Sequence, residues 1–506
     1  MSVEKETMTQ SKSTDARRSW PDYTAVWRWH FYAGLFCLPF VCWLSLTGSI
    51  YLFRPDIEAW LDRPYESLHL DGPRAAPSSE ARAAIAAVPG SVFSRYEPPA
   101  TPTGAAQIVV GRDGHLFRVY VQPDTLRALK VERDDHRVME LVSHLHGELL
   151  LGDRGSMLVE LAASWAVVMI LTGLYLWFPR GATRLGGVLY PRVGRSGRPF
   201  WRDLHAVTAM WVSIVTLFML LSGLPWASNW GKYLTWVRNH WSVTAGQPDW
   251  PVGTEAPLTL GTKSAPHSSM PGMTAAEMAA MAPPVAKSAP QSSMPGMTAA
   301  EMAAMAPPDA QGGRSLVQAF QALDKVVPLA ARLRLPRPVW ILPLPQGGQD
   351  WMISSQVQDR PLRVTYTVNP GTSRVTKIED FDGENIVDKV VNVAVAAHEG
   401  QLFGRLNQAI LLLTAAGLVL VSISGTVMWW RRRPASMLGA PRRAAQSSFS
   451  AMLAVVIAAL ALLLPLFGLS LLLVLAIDRT LLPRLPSARR WLGLAPPSAA
   501  GRCSNR

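Results

Sequence analysis

The chain has 506 residues, 49% of them hydrophobic and only 17% charged, with 19 Trp. A soluble domain carries about 25% charge, so the composition points to a membrane protein. The net charge of +13 does not mark a nucleic-acid binder, because the Arg residues cluster beside apolar runs rather than on a basic domain; the three Cys (Cys37, Cys42 and Cys503) exclude a disulfide framework, a CxxC zinc site and a CxxCH haem-attachment site.

In chain order, residues 1–24 are polar and lack the apolar core and small-residue cleavage site of a secretory signal. They read as a cytoplasmic tail before an uncleaved first span at 25–53. An outer α+β domain at 54–155 leads to span two at 156–178. An Arg-rich loop follows at 179–203, then span three at 204–230. A second outer domain covers 231–405, with an insert at 264–310, and span four covers 406–430. A second Arg-rich loop at 431–448, a fifth span at 449–477 and a tail at 478–506 complete the chain. The uncharged runs inside these spans have 18 residues or more, and about 20 helical residues cross a bilayer core.

Short-loop arginines set the orientation. Arg180, Arg184, Arg192, Arg195, Arg198 and Arg202 follow span two, and Arg431, Arg432, Arg433, Arg442 and Arg443 follow span four. Both loops, and with them the N-terminus, are expected in the cytoplasm. Trp177, Trp201, Trp226, Trp230, Trp429 and Trp430 mark the span ends as an interfacial belt would. The fifth apolar segment, 444–477, has Pro465 in its middle. One crossing leaves Arg479, Arg484, Arg489 and Arg490 outside, against the bias; a hairpin keeps them inside with short arms. One crossing is the reading preferred here.

The chain repeats itself. Spans one to four close on Thr47-Gly48, Thr172-Gly173, Ser222-Gly223 and Ser424-Gly425. His30 precedes Gly48 by 18 residues, as His205 precedes Gly223; His146 precedes Gly173 by 27, as His398 precedes Gly425. Residues 121–132 align without gaps on 368–379, each as a strand, a Pro-containing turn and a strand, after helix-like stretches at 78–88 and 315–327. The fold expected is an α-helical integral membrane bundle, four core spans in two parallel repeats plus a fifth C-terminal span, with two small outer α+β domains. A pseudo-twofold along the membrane normal pairs His30 with His205 on the inner side and His146 with His398 on the outer side.

Two stacked His pairs are what two six-coordinate haems need: facing helices present one imidazole to each side of an iron, and without CxxCH the haem is non-covalent haem b. The bland alternative makes His30 and His205 interfacial residues bonded to headgroups. For His146 the alternatives are a substrate or metal contact, or packing between the outer domain and a span. His144 has no counterpart in the second copy, and His69, His115, His136, His240 and His267 have no matched partners. Glu160 opens span two with no assigned role.

Trp27-Arg28-Trp29-His30, Leu145-His146-Gly147-Glu148-Leu149-Leu150-Leu151-Gly152, Phe200-Trp201-Arg202-Asp203-Leu204-His205 and His398-Glu399-Gly400-Gln401-Leu402-Phe403-Gly404 together resemble the PepSY-associated transmembrane family, over about residues 24–433 apart from the insert. The outer repeats resemble PepSY domains. The resemblance implies a multi-pass protein of the bacterial inner membrane, with the α+β domains periplasmic and His30, His146, His205 and His398 as haem ligands. The family includes iron–siderophore reductases that hold haem between their helices, and its members differ in substrate. The fifth span and the insert depart from the simplest four-span pattern.

The insert holds a tandem repeat of period 24, in which Met270, Met273, Met278 and Met281 recur as Met294, Met297, Met302 and Met305. Thioethers favour Cu(I), so a copper-collecting loop stands beside the reading of a duplicated Ala/Pro/Ser linker. The function expected is transmembrane electron transfer from an inner donor, through both haems, to a ferric siderophore or other metal chelate held against the outer domains. The chain has no GxGxxG fingerprint, so the donor is a separate flavin reductase or a quinol. One rival keeps the relay but delivers electrons to copper or another periplasmic oxidant. A second is a non-enzymatic, partner-binding membrane anchor.

Overall fold

In the computed structural model, residues 23–179, 185–241, 308–344, 350–441 and 451–494 are described. In chain order the elements are helices α1 (Tyr23–Tyr51), α2 (Arg54–Glu66) and α3 (Pro77–Ala87), then strands β1 (Val92–Glu97), β2 (Ala106–Arg112), β3 (His115–Val121) and β4 (Ala128–Arg133). Helices α4 (Val138–Gly147), α5 (Asp153–Trp177), α6 (Arg198–Gly223), α7 (Ser228–Trp241) and α8 (Pro308–Leu333) follow. Then come β5 (Val339–Pro343), β6 (Trp351–Ser355), β7 (Val364–Asn369) and β8 (Arg374–Asp380). Helices α9 (Ile386–His398), α10 (Gly404–Arg432), α11 (Ala451–Leu463), α12 (Pro465–Thr480) and α13 (Pro486–Trp491) complete the list. Two compact units result: residues 1–57, 138–255 and 385–506, and residues 58–137 and 256–384.

The first unit is helical. Among the described residues, five helices are long and apolar enough to cross a membrane: Tyr23–Tyr51, Asp153–Trp177, Arg198–Trp226, Gly404–Arg432 and Pro465–Arg484. In the first four, only 22–33% of the most apolar window is buried within the protein, so most of that apolar surface has lipid as its natural solvent. Helix α1 packs on α5 and on α10, and α6 packs on α5 and on α10. Close approach of α10 to α6 depends on Gly417, where a β-carbon would stand 2.7 Å from Val212 Cγ1.

Buried Glu160 in α5 has a structural partner. Its Oε2 accepts from Asn229 N (3.1 Å) and Trp230 N (3.3 Å), capping the first turn of α7, while Ser156 Oγ accepts from Ser228 N. A carboxylate on the unsatisfied donors of a helix start needs no counter-cation.

The structure corrects the reading of 449–477 as one crossing. Pro465 lacks a backbone donor, Leu464 takes φ −125° and ψ 80°, and the helix breaks there sharply enough that a β-carbon at Gly468 would stand 2.9 Å from Ala461 Cβ. Trp230 Nε1 donates to Leu463 O near the break. The following tail returns to the start of α1: Tyr32 Oη donates to Leu492 O at 2.6 Å, and Arg28 donates to both Pro441 O and Gly493 O. Leu438 N also donates to Trp491 O. Helices α11 and α12 are therefore the arms of a hairpin, and the fifth candidate span is 465–484. The tail arginines share an end of the bundle with Arg431–Arg433.

The second unit holds one eight-stranded antiparallel sheet, ordered β4-β3-β2-β1-β5-β6-β7-β8. Each half is a four-stranded meander preceded by a helix, α3 or α8, and both helices contribute to one apolar core with Phe93, Tyr96, Ile108, Leu323, Ile341 and Ile353. The turns match: the left-handed residue is Leu126 in the first half and Ser373 in the second. The two separate α+β domains expected from sequence are thus corrected to one sheet. The edge strands β1 and β5 pair at Tyr96↔Ile341, which removes one exposed edge from each meander.

Candidate functional site: four histidines on four glycine seats

Each of the four matched histidines lies against a Gly of a different helix. A β-carbon at Gly173 would stand 3.0 Å from His30 Cε1; at Gly425, 3.2 Å from His205 Cε1; at Gly48, 3.1 Å from His146 Cε1; and at Gly223, 3.2 Å from His398 Cε1. Only the absence of a side chain lets an imidazole approach the helix so closely. The pairing is crossed: His30 of α1 rests on α5, and His146 of α4 rests on α1. His205 of α6 rests on α10, and His398 of α9 rests on α6.

The residues before each Gly fix the ring. His30 Nδ1 is 2.9 Å from Met169 O and 3.3 Å from Thr172 Oγ1. His205 Nδ1 is 2.9 Å from Val421 O and 3.4 Å from Ser424 Oγ. His146 Nδ1 is 2.9 Å from Thr47 Oγ1, and His398 Nδ1 is 2.8 Å from Ser222 Oγ. A carbonyl only accepts, so Nδ1 donates in the first two. The Thr47 and Ser222 hydroxyls already donate to Trp43 O and Phe218 O one turn back, so they too accept from Nδ1–H. All four rings therefore carry the proton on Nδ1 and keep the Nε2 lone pair free, the tautomer of a metal-ligating imidazole with its second ring nitrogen bonded.

His30 and His205 face one another with ring centres 6.4 Å apart and planes crossed at 81°. A metal–nitrogen bond of about 2 Å on each side, extended to the ring centres, sets two trans imidazoles about 6 Å apart. The spacing and crossed planes are also those of an edge-to-face ring pair, and no hydrogen bond joins the two. The donor set and its spacing thus fit a haem iron, and the pair lies among α1, α5, α6 and α10, each packed on two of the others. His146 and His398 are also neighbours, near enough for a charge on one to disfavour a charge on the other. Burial lowers both to about 4, so both are neutral at pH 7.

The seats set the depth of the pairs. His30 and Gly48 are 18 residues apart on α1, a rise of about 27 Å. Since Gly48 seats His146, the two His pairs stand at opposite ends of the bundle, separated by nearly the thickness of a bilayer core. The 27-residue spacing from His146 to Gly173 is not one helix. Leu149, Leu150 and Gly152 adopt positive φ between α4 and α5, and Gly155 allows the reversal: a β-carbon there would overlap Glu148 O.

The residue two before His30 and the residue two before His205 each tie down a connecting segment at the basic end. Arg28 holds the C-terminal tail, as described. Buried Asp203 accepts from Arg192 at 2.6 and 3.0 Å and from Arg202 at 3.0 Å, fixing the loop before α6. Neither role was assigned from sequence. Both were open to it, as charges at matched offsets from matched histidines. The remaining histidines stand apart, His144 on Glu148 at 3.2 Å and His115 beside Arg133. Among the described residues no cluster of three or more His, Cys, Asp or Glu could hold a bare metal ion. The methionines of the insert, Met270 to Met305, lie outside the described residues.

A family model described as the PepSY-associated TM region matches residues 27–432, most of the chain and all four histidines. No curated protein matches the chain.

Proposed function

The chain belongs to the PepSY-associated TM region family, and from that premise we propose that this multi-pass membrane protein carries electrons across a bacterial inner membrane through two b-type haems. The acceptor is a ferric chelate of the siderophore type on the periplasmic side. The observation that carries the reading is the 6.4 Å separation of the His30 and His205 rings, with Nδ1 of each anchored and Nε2 of each left free.

Bound haem supplies reversible one-electron chemistry at two depths. The chain's own residues do the rest. His30 with His205, and His146 with His398, hold two carriers at opposite ends of the bundle. The carbonyls and hydroxyls on Nδ1–H fix each ring and raise the basicity of Nε2. The lipid-facing spans insulate the path. With the arginine-rich end in the cytoplasm, the His30 pair faces the donor, a flavin reductase or a quinol, and the His398 pair faces the acceptor. The α+β unit is read as a PepSY-like pair on the periplasmic side. One electron converts chelated Fe(III) to Fe(II), which hard-oxygen chelators hold far less tightly.

Proteoliposomes enclosing a reductant, with a ferric chelate outside, test this directly. The reading predicts external Fe(II), trapped by a ferrous-specific dye, only with intact protein, and its loss in His30→Ala and His398→Ala. External Fe(II) at equal rates with and without the four histidines would overturn it.

A further inference from the structure

The basic end of the bundle contains a pair of arginines with no acidic partner among the described residues. Arg198 opens α6, seven residues before His205, and Arg432 closes α10, seven residues after Gly425, the seat of His205. Seven residues make two helical turns less about 20°, so each Arg is on the same face as the site residue of its own helix and about 10 Å nearer the basic end. A third helix locates the pair. The Arg432 guanidinium lies 4.8 Å over the Trp27 ring and 5.6 Å over the Phe31 ring, and Trp27 shares a face of α1 with His30, one turn on. From α6, Trp201 meets the neighbouring Arg431 at 5.9 Å. Arg198 and Arg432 are thus gathered just inward of the His30–His205 pair.

Their electrostatics are unfavourable as they stand. Arg198 is close enough for its charge to oppose that of Arg432. Neither has a carboxylate partner among the described residues; the nearby acid, Asp203, is taken by Arg192 and Arg202. Arg432 gives Nη2 to Gly439 O at 3.2 Å, but its Nε is buried and makes no hydrogen bond. A buried, unused donor on a cation beside a second cation is expensive without an anion. A guanidinium pair is suited to carboxylates.

We propose that Arg198 and Arg432 form the seat for the two propionate carboxylates of the porphyrin held by His30 and His205. This rests on the haem reading and adds to it an orientation: the porphyrin stands edge-on to the membrane, propionates toward the basic end. The two-turn offset matches the reach of a propionate beyond the iron, and two cations neutralise two carboxylates.

The test uses the full chain in detergent, in a His398→Ala background that leaves the His30–His205 site alone. Apoprotein is titrated with protohaem and with protohaem dimethyl ester, whose propionates carry no charge, following the Soret band. The proposal predicts that the free acid binds at least about tenfold more tightly than the ester. It predicts that R198Q/R432Q loses this preference and that R198K/R432K keeps most of it. Equal binding of acid and ester by the parent, or an undiminished preference in R198Q/R432Q, would overturn the proposal while leaving the haem reading intact. Folded parent protein that takes up neither porphyrin would overturn both. A phospholipid headgroup is the other source of an anion here. Native mass spectrometry in which phosphatidylglycerol is lost from R198Q/R432Q, with the acid–ester preference unchanged, would assign the pair to lipid and overturn the proposal. Should R198Q/R432Q not fold, R198Q alone, at an exposed position, carries the same comparison.

Discussion

His30 rests on Gly173, so close that a β-carbon at that Gly would stand 3.0 Å from its Cε1. The same relation joins His205 to Gly425, and each ring is held on a helix backbone with the other imidazole facing it.

Gly173→Ala and Gly425→Ala should therefore push one ring of the His30–His205 pair out of line. The added methyl meets a ring fixed by Met169 O or Val421 O, and overpacking of this kind costs about 1–3 kcal/mol. Haem content of purified variants is expected to fall by about one per chain, with the protein still in the membrane. Unchanged content would show that the ring has room the structure does not give it.

Thr47→Val and Ser222→Ala remove the acceptors of His146 and His398 without touching the rings. Loss of a partner on the second ring nitrogen typically costs about 10–100-fold in metal affinity. Faster transfer of haem to apomyoglobin is expected from both variants, confined to one of two kinetic phases. If both phases or neither respond, these hydroxyls do not serve that pair.

The sheet unit should be acid-sensitive. Arg118 bonds Glu97 and Asp134 at 2.7 and 2.9 Å, and Arg95 bonds the same two acids at 2.9 and 2.8 Å. Although burial alone would raise them, the arginines hold both carboxyls below the usual range. A folded-state value lower than the unfolded one gives stability that is complete above the unfolded value, about 4, and is lost as pH falls further. Amide protection, taken relative to the intrinsic exchange rate at each pH, should fall in β1 and β3 below about pH 4. Arg118→Met, which leaves two buried acids to Arg95 alone, should cost about 3–5 kcal/mol at neutral pH. Protection that is unchanged from pH 7 to pH 3 would contradict this.

The hairpin of α11 and α12 puts the C-terminal tail beside the start of α1, where Tyr32 holds Leu492 O. Single cysteines at Ser487 and Thr24 should react with an impermeant maleimide from the same side of the membrane. Labelling from opposite sides would restore a single crossing.

The sequence carried the spans, the four matched histidines and the Ser/Thr-Gly pairs, because apolar length and a duplicated spacing are both one-dimensional signals. Which Gly receives which His was not legible. The count from His30 to Gly48 runs along one helix and reports depth, whereas contact with Gly173 depends on which helix lies alongside. The single sheet was hidden for a related reason: Tyr96 and Ile341 are far apart in the chain, and either meander reads the same whether its edge is free or paired. Pro465 was visible as a break. Arg479 and Arg484, counted with the positive-inside bias, favour the hairpin, whereas the shortness of its arms favours a single crossing. Glu160 had no visible partner because its partners are backbone donors at Asn229 and Trp230.

Haem stoichiometry tests the central claim most directly, by pyridine haemochrome and protein assay on the purified full chain. The account predicts two haem b per chain in the wild type, one in His205→Ala, one in His398→Ala and none in the double variant. Folded wild-type protein without haem, or stoichiometry unaltered by both substitutions, would contradict it.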